Sequence, residues 1–145
     1  MIKRLNFIIY NRILGYFIKC GKKKLFLKIY KNAFLKCKKE LNFKTHIIIL
    51  NIFFKLNTFV ESKVIKKRRR TFVVPFPIDT KRRTHLVLKW YTKTIFDNNN
   101  KMGLEKKIVN ETLSLLLTKS SKSITLHNNN TKLAQDNRSN LHYRW

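Results

Sequence analysis

The sequence predicts a mainly α-helical protein, a helical bundle of about six helices with a protruding two-stranded β-ribbon. Three observations carry this reading. Apolar residues recur at helical spacing along most of the chain. The stretch between Val60 and Ile78 alternates instead, which is the period of a strand. The run Lys66-Lys67-Arg68-Arg69-Arg70 divides that stretch in two, so a hairpin with an all-basic tip follows.

In the first helix Ile9, Ile13 and Phe17 fall at every fourth position, with Leu14 and Ile18 beside them. Gly21 suits a left-handed C-cap ahead of Lys22, Lys23 and Lys24. In the second helix Leu25, Ile29, Ala33 and Cys37 step by four, flanked by Phe26, Tyr30 and Phe34. Lys24, Lys28, Lys31 and Lys38 take its other side. Residues 43–56 form a third helix, although their β-branched isoleucines also suit a strand.

The ribbon is expected over about residues 59–79, with Phe72, Val74, Phe76 and Ile78 on one parity of the strand. Pro75 and Pro77 share the other parity. Neither has an N–H to give, which suits an unpaired ribbon edge. The tip lacks Gly and Asn, so a loop wider than a tight primed turn is expected. Lys81, Arg82 and Arg83 then open a helix with Val87, Trp90, Tyr91 and Ile95 on one face, ending at Asp97. Leu104, Ile108, Val109, Leu113 and Leu116 mark the next. Residues 120–130 are polar and low in complexity and read as a loop. A last short helix begins near Thr131 and runs into His142-Tyr143-Arg144-Trp145. With no repeat and no linker, residues 1–145 read as one domain.

Lys and Arg number 33 against 7 acids, a formal net charge of +26. A compact protein so charged repels itself unless a polyanion neutralises it. Nucleic acid is the natural partner and an anionic membrane surface the rival. The longest apolar stretch, residues 46–54, falls well short of the ~20 residues of a membrane span, so no membrane association is expected. The basic, acid-free N-terminus also has the look of an organellar presequence. Asn, Lys, Ile, Phe and Leu are abundant, the residues of A/T-rich codons, as in many organelles and some parasites or endosymbionts.

Enzymatic chemistry finds no footing. The acids are scattered singly, and His46, His85, His127 and His142 lack metal-ligand spacing. Cys20 and Cys37 form no C-x-x-C pair, and no phosphate-cradling glycine loop is present. No catalytic residue, metal or cofactor is expected, and Cys37 reads as a buried structural thiol. The competing class is a stand-alone basic RNA- or DNA-binding or modifying protein.

The candidate RNA contacts are the basic clusters: Lys22, Lys23 and Lys24; Lys63, Lys66, Lys67, Arg68, Arg69 and Arg70; Lys81, Arg82 and Arg83, with Lys89 further along the same helix. To these are added Lys3 and Arg4 at the N-terminus and Arg138, Tyr143, Arg144 and Trp145 in the tail. They fall at a helix-end loop, a hairpin tip and a helix start, where side chains reach phosphates. Phe72, Trp90 and Tyr91 lie on apolar faces and are read as core. Tyr143 and Trp145 either fold back to cap the bundle or stack on unpaired bases.

The terminal His142-Tyr143-Arg144-Trp145, preceded by Asn137-Arg138-Ser139, resembles the ending of the universal small-subunit ribosomal protein seven family. Val60-Glu61 through Lys89-Trp90, with Thr71, Pro75, Arg83 and Trp90, resembles that family's ribbon and following helix at the same spacing. Gly21-Lys22-Lys23, Ala33 and Asn110-Glu111 extend the resemblance over residues 9–145. It implies a helical bundle with a ribbon and binding to the 3′ major domain of the small-subunit rRNA, where the family nucleates the subunit head. It also implies that the ribbon and last helix lie near exit-site tRNA and the mRNA path, beside platform protein number eleven. Other small-subunit proteins would be its neighbours, and it would not be a homo-oligomer. The same implied placement favours RNA as the partner of the tail.

The resemblance puts residues 9–20 on the first helix, so no removable targeting segment is expected. An organelle-encoded protein follows, in the mitochondrial matrix and ribosome ahead of a plastid or apicoplast ribosome or an endosymbiont's cytoplasm. The chain departs from the family in four places. The basic N-terminal arm is reduced to Lys3 and Arg4, and the two glycines of the ribbon turn align with Arg68 and Arg69. Thr58 stands for a proline, and residues 125–130 replace a basic run.

Overall fold

The computed structural model describes residues 11–18, 20–97, 101–118 and 120–144. Ile9, Lys3, Arg4 and Trp145 lie outside the described residues. Helix α1 occupies residues 11–17, α2 Lys23–Leu41 and α3 Thr45–Leu56. An antiparallel ribbon follows, β1 Val60–Lys67 and β2 Arg70–Pro77. Then come α4 Thr80–Asp97, α5 Leu104–Leu113 with a wider π turn at Ser114–Thr118, α6 Lys122–Asp136 and a 3-10 segment Arg138–Tyr143. The architecture is the expected one, mainly α with a two-stranded ribbon.

The core gathers Ile13, Leu14 and Phe17 of α1, Tyr30, Ala33, Phe34 and Cys37 of α2, and Ile48, Ile52 and Leu56 of α3. Ile49 of α3, Val87, Leu88, Tyr91 and Ile95 of α4, Ile108 and Val109 of α5 and Leu115 join them. Phe17 is the aromatic hub, with Tyr91 edge-on at 6.1 Å and Tyr30 and Phe96 at 6.3 and 5.9 Å. Cys37 is buried, as expected. Its Sγ lies 3.2 Å from Thr112 Oγ1, and burial pushes the thiol pKa up. Leu25 is 52% exposed, against expectation. Each step of four residues advances about 400° around a helix, so a strict i+4 row drifts. Leu25 lies roughly 120° around the axis from Cys37 and has rotated off the buried face.

The connection from α1 to α2 turns through two left-handed residues, Cys20 (φ 52°) and Gly21 (φ 68°). Asn42 (φ 55°) ends α2 the same way, its N–H donating to Lys38 O at 3.0 Å. Lys55 closes the far end of α5. Its Nζ donates to Leu115 O and Leu116 O at 2.8 Å each, two carbonyls within the π turn.

Two ribbon expectations are corrected. Lys67 pairs with Arg70, so the tip is a tight two-residue turn and no wider loop. Arg68 takes the left-handed conformation at φ 56°, which the family's glycine would adopt without strain. The edges are also covered in part. Pro75 and Pro77 oppose Ser62 and Val60, and the bond from Ile78 N to Phe59 O sets the phase. The prolines thus occupy positions whose missing N–H would have faced outward, as expected. Two outward carbonyls of β2 nevertheless have partners. Asn140 Nδ2 donates to Val73 O at 3.0 Å, and Arg144 Nε to Pro75 O at 2.8 Å. On β1, Asn130 acts as a surrogate strand residue: its Nδ2 donates to Val60 O at 2.8 Å, and its Oδ1 accepts from Ser62 N at 3.4 Å.

The last helix is also longer than expected. Residues 122–130, read as loop, are helical. Serine and asparagine are weak helix formers, but tertiary contacts decide here. Ser121 caps the helix by accepting from Ile124 N. Ser123 Oγ and N donate to the buried Glu111 at 2.5 and 3.2 Å, and Thr94 Oγ1 lies 2.9 Å from the same hydroxyl. One polar knot therefore joins α4, α5 and α6.

Candidate nucleic-acid interface

The ribbon projects its cations by simple parity. Glu61, Lys63, Ile65 and Lys67 share one face with Arg70, Phe72, Val74 and Phe76, their cross-strand partners. Lys63, Lys66, Lys67, Arg68, Arg69 and Arg70 are all exposed. Tyr143 stacks on Phe72 with centroids 4.6 Å apart, and Lys67 Nζ lies 5.0 Å from the Tyr143 ring centre. The tail thus reaches the ribbon tip, and Lys67, Arg68, Arg69 and Arg70 share one depression with Phe72 and Tyr143. The tail packs on the ribbon, an arrangement distinct from the bundle cap weighed above.

At the ribbon base a second group forms on the start of α4. Asp79 prepares the helix: its carboxylate accepts from Thr80 N at 2.6 Å, a bond that holds its pKa below the usual range. Arg82 grips Glu61 with two bonds of 2.7 and 3.0 Å and lowers that carboxyl's pKa. The Arg83 guanidinium stands 4.4 Å from the centre of the Phe59 ring. Arg12 of α1, which the sequence did not single out, joins this group by donating to Thr84 Oγ1 at 3.3 Å. His85 hydrogen-bonds Tyr16, and burial, with Arg82 and Lys89 nearby, lowers its pKa.

The tip, the base and the tail are thus brought together along one ribbon. Lys81 and Lys89 stay exposed on α4, and Arg138 on the 3-10 segment. Lys22, Lys23 and Lys24 are exposed at the start of α2, a helix that packs on α5 and α3. Of the three rings read as core, Tyr91 lies in it, whereas Trp90 and Phe72 are half-buried outside it, Phe72 under Tyr143. Trp90 meets His127 edge-on at 5.9 Å. Sequence reasoning missed Asn130, Asn140 and Phe59. Asn130 fell in the stretch read as a loop and Asn140 in the last short helix, where neither carried a signal of its own, and Phe59 is 64% exposed beside Arg83 although it is a large apolar residue.

Among the described residues no helix is long and apolar enough to cross a membrane, and no cluster of potential metal ligands is present. The chain matches the family described as ribosomal protein S7p/S5e over residues 3–138. The chain belongs to this family. It is similar, at 27% identity over 139 residues, to the small ribosomal subunit protein uS7m of Reclinomonas americana, covering 93% of this chain and 86% of that one. As a member of the S7p/S5e family it is a structural component of the small ribosomal subunit and not an enzyme. Its surroundings are therefore ribosomal RNA and other ribosomal proteins.

Proposed function

We propose that this chain binds the 3′ major domain of the small-subunit rRNA, nucleates assembly of the head, and serves in the mitochondrial ribosome. Its ribbon and C-terminal segment lie near exit-site tRNA and the mRNA path, beside platform protein number eleven. Residues 1–145 act as one domain, with Lys22, Lys23 and Lys24 as one rRNA anchor and the start of α4 as another. The observation that carries the reading is the exposed cationic ribbon tip, held out on strands whose edges the C-terminal segment braces. Such a tip is unfavourable alone and favourable against phosphate. The mitochondrial setting is supported by the similarity to a protein named uS7m and by the abundance of residues whose codons are A/T-rich.

Filter binding to a transcript of the 3′ major domain tests this. With ~6–10 phosphate contacts, affinity falls ~10³–10⁵-fold between ~50 and ~200 mM salt. A transcript of another rRNA domain should bind more weakly at every salt concentration. Equal affinity for both transcripts, or a flat salt response, would overturn the assignment.

A further inference from the structure

We propose that the groove between the ribbon base and α6 holds one unpaired base of the bound RNA, with the neighbouring phosphates on Arg138 and Arg144. The inference rests on the RNA-binding reading above and gives it a specific pocket. The groove encloses about 460 Å³, within the roughly 300–1,000 Å³ typical of small-ligand sites. Its floor is apolar, built from Phe59, Val60 and Pro75 of the ribbon side and Ala134 and Leu141 of the C-terminal segment. Phe59 is the key wall. It is 64% exposed although Arg83 stands over its ring. An exposed ring backed by a cation is a stacking surface for a nucleobase.

The rim supplies the complementary charge. Arg144 uses Nε on Pro75 O, and its terminal nitrogens make no other hydrogen bond among the described residues. Arg138 lines the same groove and makes no side-chain hydrogen bond or ion pair among the described residues. Gln135 lies in the α6 wall, and its side-chain amide makes no hydrogen bond among the described residues, so it offers both a donor and an acceptor to a base edge. An apolar floor beside a ring, flanked by cations, matches a nucleotide: a flat apolar face with charge on either side. A carboxylate of a neighbouring protein would satisfy the arginines but leave the floor and Phe59 uncovered.

The test is chemical footprinting of base and backbone in the complex of the full chain with the 3′ major domain transcript. Phe59→Leu should bind about tenfold more weakly and lose protection of an unpaired base, while protections at the ribbon tip persist. The Arg138 side chain makes no hydrogen bond or ion pair among the described residues, so Arg138→Gln should leave the fold intact; it should lose backbone protection beside that same base. Base protections identical in wild type and both variants would overturn the groove assignment while leaving RNA binding standing. Absence of any footprint in the wild type would overturn both.

Discussion

Tyr143 stacks on Phe72 at 4.6 Å with their planes 26° apart, so the tail is tied to the strand that carries the basic tip. Asn140 and Arg144 tie the same strand through Val73 O and Pro75 O. Deleting the chain from Arg138 onward therefore removes an aromatic stack and two hydrogen bonds. The stack and bonds are worth roughly 2–3 kcal/mol together, a Tm fall of about 6–12 °C in saturating rRNA fragment. A fall of less than ~2 °C would show that the tail braces nothing.

Asn130 satisfies two outward groups of β1, Val60 O and Ser62 N, with a single amide. Asn130→Asp keeps the acceptor for Ser62 N but loses the donor for Val60 O. It should cost about 1–2 kcal/mol. Asn130→Ala should cost more and speed hydrogen exchange at the Ser62 amide. Unchanged exchange at Ser62 in Asn130→Ala would contradict the surrogate-strand role.

Arg68 holds φ 56° in a two-residue turn. Arg68→Gly removes a left-handed penalty of about 1–2 kcal/mol, less what glycine gives back in unfolded-state entropy. The expected result is a Tm unchanged or raised by a few degrees, with a salt slope for RNA binding about one unit shallower. Clear destabilisation would mean that the turn relies on the arginine side chain.

Much of this was legible beforehand because it depends on local rules. The i, i+3, i+4 rows of α2 and α4 placed Tyr30, Cys37, Tyr91 and Ile95 in the core, where they are. Pro75 and Pro77 placed the outward positions of β2 without any partner being known. What escaped was decided by partners distant in sequence. Residues 122–130 have weak helix propensity, and their helix is held by Glu111, Thr94 and the ribbon edge. The basic clusters were visible as composition. That Phe59 and Arg83 meet, and that the tail lies along the ribbon, depends on contacts between remote segments that periodicity does not encode.

His85 supplies a pH test. Burial first, then Arg82 and Lys89, lower its folded pKa below the ordinary imidazole value, while Glu61 opposes the shift. The unfolded chain then binds the proton more readily. The stability from neutral His85 is present above its unfolded pKa and is lost as pH falls through the lower, folded value. Urea midpoints in sulfate, which strengthens burial and screens the self-repulsion, should fall as pH drops below about 6.5. His85→Gln should flatten that dependence, and an equal slope in both proteins would refute the role assigned to His85.

Replacing Arg68, Arg69 and Arg70 together by Ser should leave the helical core intact, since none of the three side chains is buried. The slope of log affinity against log salt should become shallower by up to about 2–3 units. If the slope is unchanged, the tip meets no phosphate.

If rRNA holds this protein on the small ribosomal subunit, digesting the RNA must release it. The most direct measurement is sedimentation of a mitochondrial lysate, probed for this chain before and after ribonuclease treatment. Nearly all of the protein is expected in the small-subunit fractions, released to the top of the gradient only when the RNA is digested. A chain found mostly at the top of the undigested gradient, with intact small subunits elsewhere, would contradict this expectation.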